Sequence, residues 1–227
     1  FGGVIEITNA IGGVEICLAS DMRDANTGID WQAGPRTIQG LEALQFLRTR
    51  YGVGGSDLAR VSNQQQYMSR LARKLVSEEV LSNPSTVLRL ASTGLRNVTP
   101  TQSLTNPLTL VQVASAVKDV PFEDIVFVQY PTVEARSDAN RVAPDYAAAE
   151  VLWDALRENR SIEVTGGVAV NDGTVIAEPA PGEQPAPTEG PAPEPGEVDP
   201  NTGAVALPPA ITGSSAAQQT CSGGVVN

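Results

Sequence analysis

The 227-residue chain carries 26 acidic against 15 basic residues, a net charge of -11 and a pI near 4.4, which argues against nucleic acid as a partner because strand binding depends on a basic footprint. It has no histidine, so Ser-His-Asp and Cys-His catalysis and His-ligated zinc are excluded. With 41% hydrophobic but only 4% aromatic residues, it reads as one medium domain with appendages, whose core rests on Leu, Val, Ile and Ala rather than on large rings.

Taken in chain order, the start of the chain suggests a short helix ending at Ala10-Ile11 and stopped by Gly12-Gly13, and Val14 to Leu18 a strand. A polar loop follows through Asp21, Asp24, Asn26 and Gly28 to the turn Ala33-Gly34-Pro35, with Thr37 placed to cap the next helix. That helix, from about Ile38 to Arg50, sets Leu41, Leu44 and Leu47 on one stripe and Arg48 and Arg50 in its last turn. After the loop Gly52-Val53-Gly54-Gly55, Ser56 is a natural N-cap for a helix from Asp57 to about Ser77, with Leu58, Val61, Gln65, Met68, Leu71 and Leu75 turned inward.

Asn83-Pro84 and Asn106-Pro107 each announce a helix, near 84–92 and 107–118. Asp124 to Tyr130 suits a strand, and Pro144 opens a helix to about Asn159 that buries Ala148, Val151, Leu152 and Leu156. The order α-β-α-α-α-α-β-α places residues 1–160 in an α/β class with an incomplete mixed sheet. Beyond it, Ile162 to Ile176 around Asn171-Asp172-Gly173 reads as a β-hairpin within an extension over 161–177. Residues 178–210 read as a Pro/Glu/Gly-rich linker, and 211–227 as a small polar tail.

Asp57, Arg60 and Gln64 stand at i, i+3 and i+7, so on a helix they fall within about 60 degrees of one another. This polar stripe emerges at a helix N-terminus, where Arg48 and Arg50 arrive from the preceding helix. Three arginines there suit a diphosphate. Spacing alone equally permits a surface arrangement of helix-end charges. The glycine loop is not a Walker motif, since no Lys-Ser/Thr pair follows it. Asp21 and Asp24 invite a metal reading, but a solvated loop accounts for them, because hard cations need several converging oxygens. Cys17 and Cys221 are open to two readings: one bridge in an oxidising compartment, or Cys17 as a small buried strand residue. Trp31 and Trp153 are read as packing residues, and Asn97-Val98-Thr99 as a chance sequon.

The blocks Gly40-Leu41-Glu42-Ala43-Leu44-Gln45-Phe46-Leu47-Arg48-Thr49-Arg50, Gly55-Ser56-Asp57-Leu58-Ala59-Arg60 and Gln64-Gln65 resemble the pattern of the LytR-CpsA-Psr (LCP) family of cell-wall glycopolymer transferases. Ala10-Ile11-Gly12-Gly13-Val14 resembles an upstream block of the same family. The similarity covers roughly residues 1–160, and the tail is faintly like those of actinobacterial members. It implies an Mg2+-dependent phosphotransferase that moves a glycopolymer from a polyprenyl diphosphate to peptidoglycan, at the extracytoplasmic face of the membrane. By the same resemblance Arg48, Arg50 and Arg60 would bind the diphosphate, with Gln64 and Gln65 hydrogen-bonding in the site. Asp57 would orient arginines, touch the ligand or act as base. Leu44, Leu47, Met68 and Leu71 would line a lipid pocket.

Two departures accompany the resemblance. Asn63 stands where the family often has a further arginine. The family's N-terminal part, with its magnesium-holding acids and its membrane anchor, is expected upstream of Phe1, so this stretch by itself is expected to be inactive. The family's usual partner for the cysteine at Cys17 falls near Gly34-Pro35, leaving Cys17 free or bridged to Cys221. The alternative function is a non-catalytic polyprenyl-phosphate or cell-wall binding module.

Overall fold

A computed structural model describes residues 2–77, 80, 84–97, 99, 101, 109, 112, 116, 120–167, 173–177 and 194–225. The first helix, α1, spans Gly2–Ala10, and the first strand, β1, spans Val14–Leu18, as expected. Between β1 and the next helix the expected polar loop is instead three strands: β2 (Met22–Asp24), β3 (Ile29–Trp31) and β4 (Gly34–Ile38). Their apolar residues, Met22, Ile29, Trp31 and Ile38, are buried, with Arg23, Asp30 and Thr37 facing out. Such alternation over only three to five residues is easily read as loop.

Helix α2 is Leu41–Arg48, shorter at both ends than expected. Thr37 lies in β4, and the N-cap is Gly40 at φ 57°, whose N–H donates to the Thr8 hydroxyl at 2.9 Å. A side chain at that backbone conformation would be strained. The buried face of α2 is Ala43 and Phe46; of the Leu stripe, Leu41 is 61% exposed, Leu44 is half-buried and Leu47 packs against the core.

Helix α3 runs Asp57–Val76, and Ser56 caps it by accepting from Ala59 N at 2.9 Å. Its fully buried face is Ala59, Ser62, Asn63, Gln66, Tyr67 and Ser69; of the expected stripe Leu58, Val61, Gln65, Met68, Leu71 and Leu75, only Leu71 and Leu75 pack against the main core. Of its polar members, Asn63, Gln66 and Ser69 serve backbone carbonyls, whereas the buried Ser62 hydroxyl has no hydrogen-bond partner among the described residues. Gln66 Nε2 donates to Cys17 O and Thr220 O, Arg70 to Thr220 O, and Arg73 to Ala216 O and Gln218 O. Helix α4 is Pro84–Asn97. The helix expected at 107–118 lies largely outside the described residues.

Strand β5 (Val126–Val128) falls inside the expected run, and β6 (Thr132–Ala135) and β7 (Asp138–Pro144) form an antiparallel hairpin the sequence reading lacked. Pro144 therefore ends a strand. Helix α5 (Tyr146–Arg157) starts after Asp145, which caps it by accepting from Ala148 N, and buries Ala149, Leu152 and Ala155 while Leu156 is exposed.

The C-terminal third departs most from expectation. Strands β8 (Ile162–Glu163) and β9 (Thr174–Ile176) do not pair with each other as a hairpin: β8 lies parallel to β10 (Val205–Ala206), and β9 antiparallel to β12 (Thr220–Ser222). Part of the stretch read as linker is thus ordered, with Leu207 fully buried; residues 178–193 lie outside the described residues. The stretch read as a tail supplies β11 (Gly213–Ser215), paired with β5, and β12, which lies parallel to β1. The largest described sheet has the order β4-β1-β12-β9.

Cys17 and Cys221 form a disulfide, Cα to Cα 4.6 Å, across the neighbouring strands β1 and β12. The main core gathers Val14, Ile16, Leu18, Met22, Ile29, Ile38, Val53 and Ala59 around three rings. Trp31 stacks on Phe46 at 6.3 Å and Phe46 meets Tyr67 at 6.4 Å, so rings contribute more to this core than their scarcity suggested. A second cluster joins Leu152 of α5 to Leu207 and Ile211. No helix among the described residues is long and apolar enough to cross a membrane.

Candidate functional site

The arginine cluster is built where α2 ends and α3 begins. Continuing α2 would direct the Arg50 N–H to the Phe46 carbonyl. That carbonyl instead accepts from Asn63 Nδ2 at 2.8 Å, and the Leu47 carbonyl accepts from Gln64 Nε2 at 2.9 Å. Two amides of α3 therefore clasp the C-terminal carbonyls of α2. The chain leaves the helix at Thr49 and passes through a 3-10 turn, Tyr51–Val53. Gly54 at φ 105° and Gly55 at φ 82° then reverse it, and the Arg50 carbonyl accepts from Gly55 N at 2.7 Å.

This loop returns the chain to Ser56 and puts Asp57 in the first turn of α3. One oxygen of Asp57, Oδ1, meets Arg50 Nε at 3.3 Å and Arg60 Nη2 at 2.9 Å. The Arg50 Nε atom is buried and, although close to Asp57, has no well-aligned hydrogen-bond acceptor among the described residues. The three side chains are 35–60% exposed, so the pairs themselves contribute only ~0–1 kcal/mol each to stability. Arg48 ends α2 with its side chain exposed. The positive end of the α3 dipole adds to the field at the same place.

The structure thus brings Arg50, Asp57 and Arg60 together, with Arg48 two residues before Arg50. Gln64 is committed to the α2 carbonyl rather than extended toward the cluster, and Gln65 is half-buried one position further round α3. Of the residues assigned to a lipid pocket, Leu47 and Leu71 pack against the main core, Leu44 is half-buried and Met68 is 45% exposed. A separate cavity of about 340 Å³ lies elsewhere, lined by Asn9, Ala10, Ile11, Gly12, Val80, Thr86 and Arg89.

Sequence reasoning missed two residues here. Asn63, read as a lost cation, is fully buried; besides clasping α2 it accepts from the Ser222 hydroxyl, whose oxygen also lies 3.2 Å from Gln66 Oε1. Asp24, read as part of a solvated loop, is 2% exposed. It accepts from the Thr49 hydroxyl at 2.7 Å, from Arg50 N at 3.2 Å and from Asn26 N at 2.9 Å. Burial by itself disfavours its charge, but these bonds outweigh burial and hold its pKa below the ordinary 3.8. Its contribution to stability is therefore complete above the ordinary carboxylate value and is lost as pH falls through the lowered one. The signal in the sequence is the turn Asp24-Ala25-Asn26-Thr27-Gly28, where an Asp side chain bonds the backbone two residues on.

The LytR_cpsA_psr family model matches residues 1–158. The chain is 35% identical over 96 residues to "Cell wall biosynthesis protein LcpA" of Corynebacterium glutamicum, covering 42% of this chain and 18% of that protein. It is 27% identical over 94 residues to "Polyisoprenyl-teichoic acid--peptidoglycan teichoic acid transferase TagU" of Enterococcus faecalis, covering 41% of this chain and 30% of that one. The matched segments thus span less than a third of either relative. Its fold is similar to that of a LytR-Csp2A-Psr enzyme from Actinomyces oris, with a TM-score of 0.53 at 21% identity, covering 67% of this chain and 60% of the other. With an α/β fold of this kind and a family model matched over residues 1–158, the chain belongs to the LytR-CpsA-Psr family.

Proposed function

We propose that the protein is a phosphotransferase that moves a glycopolymer from a polyprenyl diphosphate carrier to peptidoglycan, at the extracytoplasmic face of the membrane. The observation that carries this reading is the convergence of Arg50 and Arg60 on one Asp57 oxygen at the α3 N-terminus, with Arg48 two residues before Arg50 at the end of α2. Family membership and the names of the relatives support the cell-wall setting.

In this reading a hydroxyl of the acceptor glycan attacks the phosphorus that bears the glycopolymer. The bond from that phosphorus to the bridging oxygen breaks, leaving polyprenyl monophosphate, and the hydroxyl proton is released as the phosphodiester forms. The guanidiniums of Arg48, Arg50 and Arg60 offset charge that grows on the diphosphate oxygens, a stabilisation preset by the loop. Asp57 keeps two of these arginines oriented.

Magnesium, which the resemblance implies, does not fit the side chains gathered here. Among the described residues no group of three or more His, Cys, Asp or Glu side chains could hold a metal, and the cluster's carboxylate, Asp57, is engaged by two guanidiniums. Chelation by this part of the chain is therefore assigned no step.

Titration of the intact protein with geranylgeranyl diphosphate tests the assignment. Arg48→Ala and Arg50→Ala should each weaken binding by ~1.5–3 kcal/mol, roughly ten- to 150-fold, because each removes charge-assisted hydrogen bonds. Thermal unfolding should barely move, since the pairs are exposed. An unchanged titration removes the diphosphate site. Binding with neither phosphate release nor glycan attachment makes the protein a binding module, and phosphate release without attachment makes it a hydrolase.

A further inference from the structure

We propose that Asp24 is a positioning residue for the arginine cluster: its buried carboxylate fixes the backbone at Thr49 and Arg50 and thereby sets where the Arg50 guanidinium meets Asp57. The functional consequence rests on the diphosphate reading above, whereas the structural link stands by itself.

Where α2 ends, one backbone donor is left over. Thr49 is extended at ψ 138°, so the Arg50 N–H turns away from the Phe46 carbonyl, which Asn63 meets instead. In a partly buried setting a donor without an acceptor costs roughly 1–3 kcal/mol. Oδ2 of Asp24 takes the place of that carbonyl, accepting both the Arg50 N–H and the hydroxyl of fully buried Thr49. Bonds to an ionised acceptor are about twice as strong as neutral ones, and the carboxylate stays ionised through the neutral range.

Asp24 is itself held from three sides. Strand pairing fixes β2 against β3, with Asp24 opposite Ile29. The backbone N–H groups of Thr27 and Gly28 donate to its carbonyl, and that of Asn26 to its Oδ1. Next to it, Arg23 N donates to Val225 O while Val225 N donates to Gly52 O, tying β2 to the arginine loop a second time. Gly52 allows the approach: a Cβ there would lie 2.8 Å from both Met22 Cγ and Thr49 Oγ1. The hairpin therefore serves as a template on which the Thr49–Gly52 backbone is laid. A side chain that touches no ligand dictates the direction of one that does.

Two kinds of measurement on the full chain decide this. In Asp24→Asn, one carboxylate oxygen becomes an amide donor that faces another donor, whichever way the group is turned. Thr49→Val removes only the hydroxyl donor at nearly constant shape, and Thr49→Ser keeps it. In the protein without ligand, Asp24→Asn should move the NMR resonances of the Arg50 backbone N–H and its Nε–H, as should Thr49→Val to a lesser degree. Geranylgeranyl diphosphate should bind roughly tenfold more weakly to Asp24→Asn, several-fold more weakly to Thr49→Val, and normally to Thr49→Ser.

Unmoved Arg50 resonances overturn the proposal whether or not ligand binds. Wild-type affinity in both Asp24→Asn and Thr49→Val, alongside a weakened Arg50→Ala, overturns it too. Resonances that move in Asp24→Asn, together with a wild-type protein that binds no diphosphate, leave the positioning link standing and reject the diphosphate reading instead. If Asp24→Asn does not fold, the contrast between Thr49→Val and Thr49→Ser takes its place: weaker binding by Thr49→Val alone supports the proposal, and equal binding by the two rejects the role of the bonded hydroxyl.

Discussion

Opening the Cys17–Cys221 bridge, by Cys221→Ser or by reduction with dithiothreitol, should lower the unfolding free energy by about 5 kcal/mol, the value of the chain-entropy relation for a loop of this length. The bridge joins residues 204 positions apart, so few cross-links in a single domain restrict the unfolded chain more. A typical domain has only ~5–15 kcal/mol of stability to lose. Urea unfolding monitored with and without reductant measures the effect as a shift of the midpoint. A midpoint indifferent to reductant would mean that pairing of β1 with β12 suffices without the bond. The bridge also stands close to the arginine loop in the fold: β12 leads into Gly223, Gly224 and Val225, and Val225 pairs with both Arg23 and Gly52. Reduction should therefore loosen the proposed diphosphate site as well as the sheet. A bond of this kind persists in oxidising compartments, which supports the proposed extracytoplasmic placement.

What the sequence revealed, and what it hid, follows from how far apart the cooperating residues lie. Asp57 and Arg60 are one helical turn apart, and Arg48 and Arg50 are joined to them by a short glycine loop, so spacing alone placed them together. Ser56 as N-cap and Pro84 as a helix opener were legible for the same reason: capping depends on two or three neighbouring residues. The inward face of α3 was not legible. The expected stripe was chosen by hydrophobicity, whereas the buried side is set by carbonyls that reach it from residues about 145–155 positions away. Gln66 is inside because strands β1 and β12 present backbone acceptors there, and Asn63 because it meets the Phe46 carbonyl of α2 and the Ser222 hydroxyl of β12; nothing within α3 announces those partners.

The β-rich segments were hidden in a different way. Strands of two or three residues such as Ile162–Glu163 and Thr220–Ser222 are too short to show a period. Gly213 looks like a tail glycine, yet a Cβ there would lie 2.2 Å from the Phe127 carbonyl oxygen. It is glycine because two strands meet at that point. Asp172-Gly173 looked like a hairpin turn, but Gly173 lies against Val53 and its carbonyl accepts from Gly223 N, so it serves contacts distant in sequence. Asp24 combines both difficulties, being polar, in a three-residue strand, and bonded to partners 25 and 26 positions on.

Deleting residues 211–227 should leave a chain that does not fold, and the comparison with a shorter deletion identifies the reason. The long deletion removes β11 and β12, the bridge to Cys17, and the fully buried Ile211, Ala216 and Ser222. It also strips the acceptors from Arg70 and Arg73 and one of two from Gln66, which keeps only the Cys17 carbonyl, so that the arginines would face a gap beside β1 with donors unpaired. Loss of the bridge costs about 5 kcal/mol, each stranded buried donor ~1–3 kcal/mol, and exposure of an Ile side chain ~1.5–3 kcal/mol. Together these approach or exceed the whole stability of an ordinary domain. Stopping after Ser222 instead keeps the sheet and the bridge but removes Val225, the backbone link between Arg23 and Gly52. That shorter form should melt cooperatively by circular dichroism, while the loop at Gly52 to Gly55 becomes susceptible to limited proteolysis and the diphosphate affinity falls. A cooperative melt in the long deletion would show that residues 1–210 fold without β12, and the C-terminal strands would then be an addition to the domain rather than its central seam.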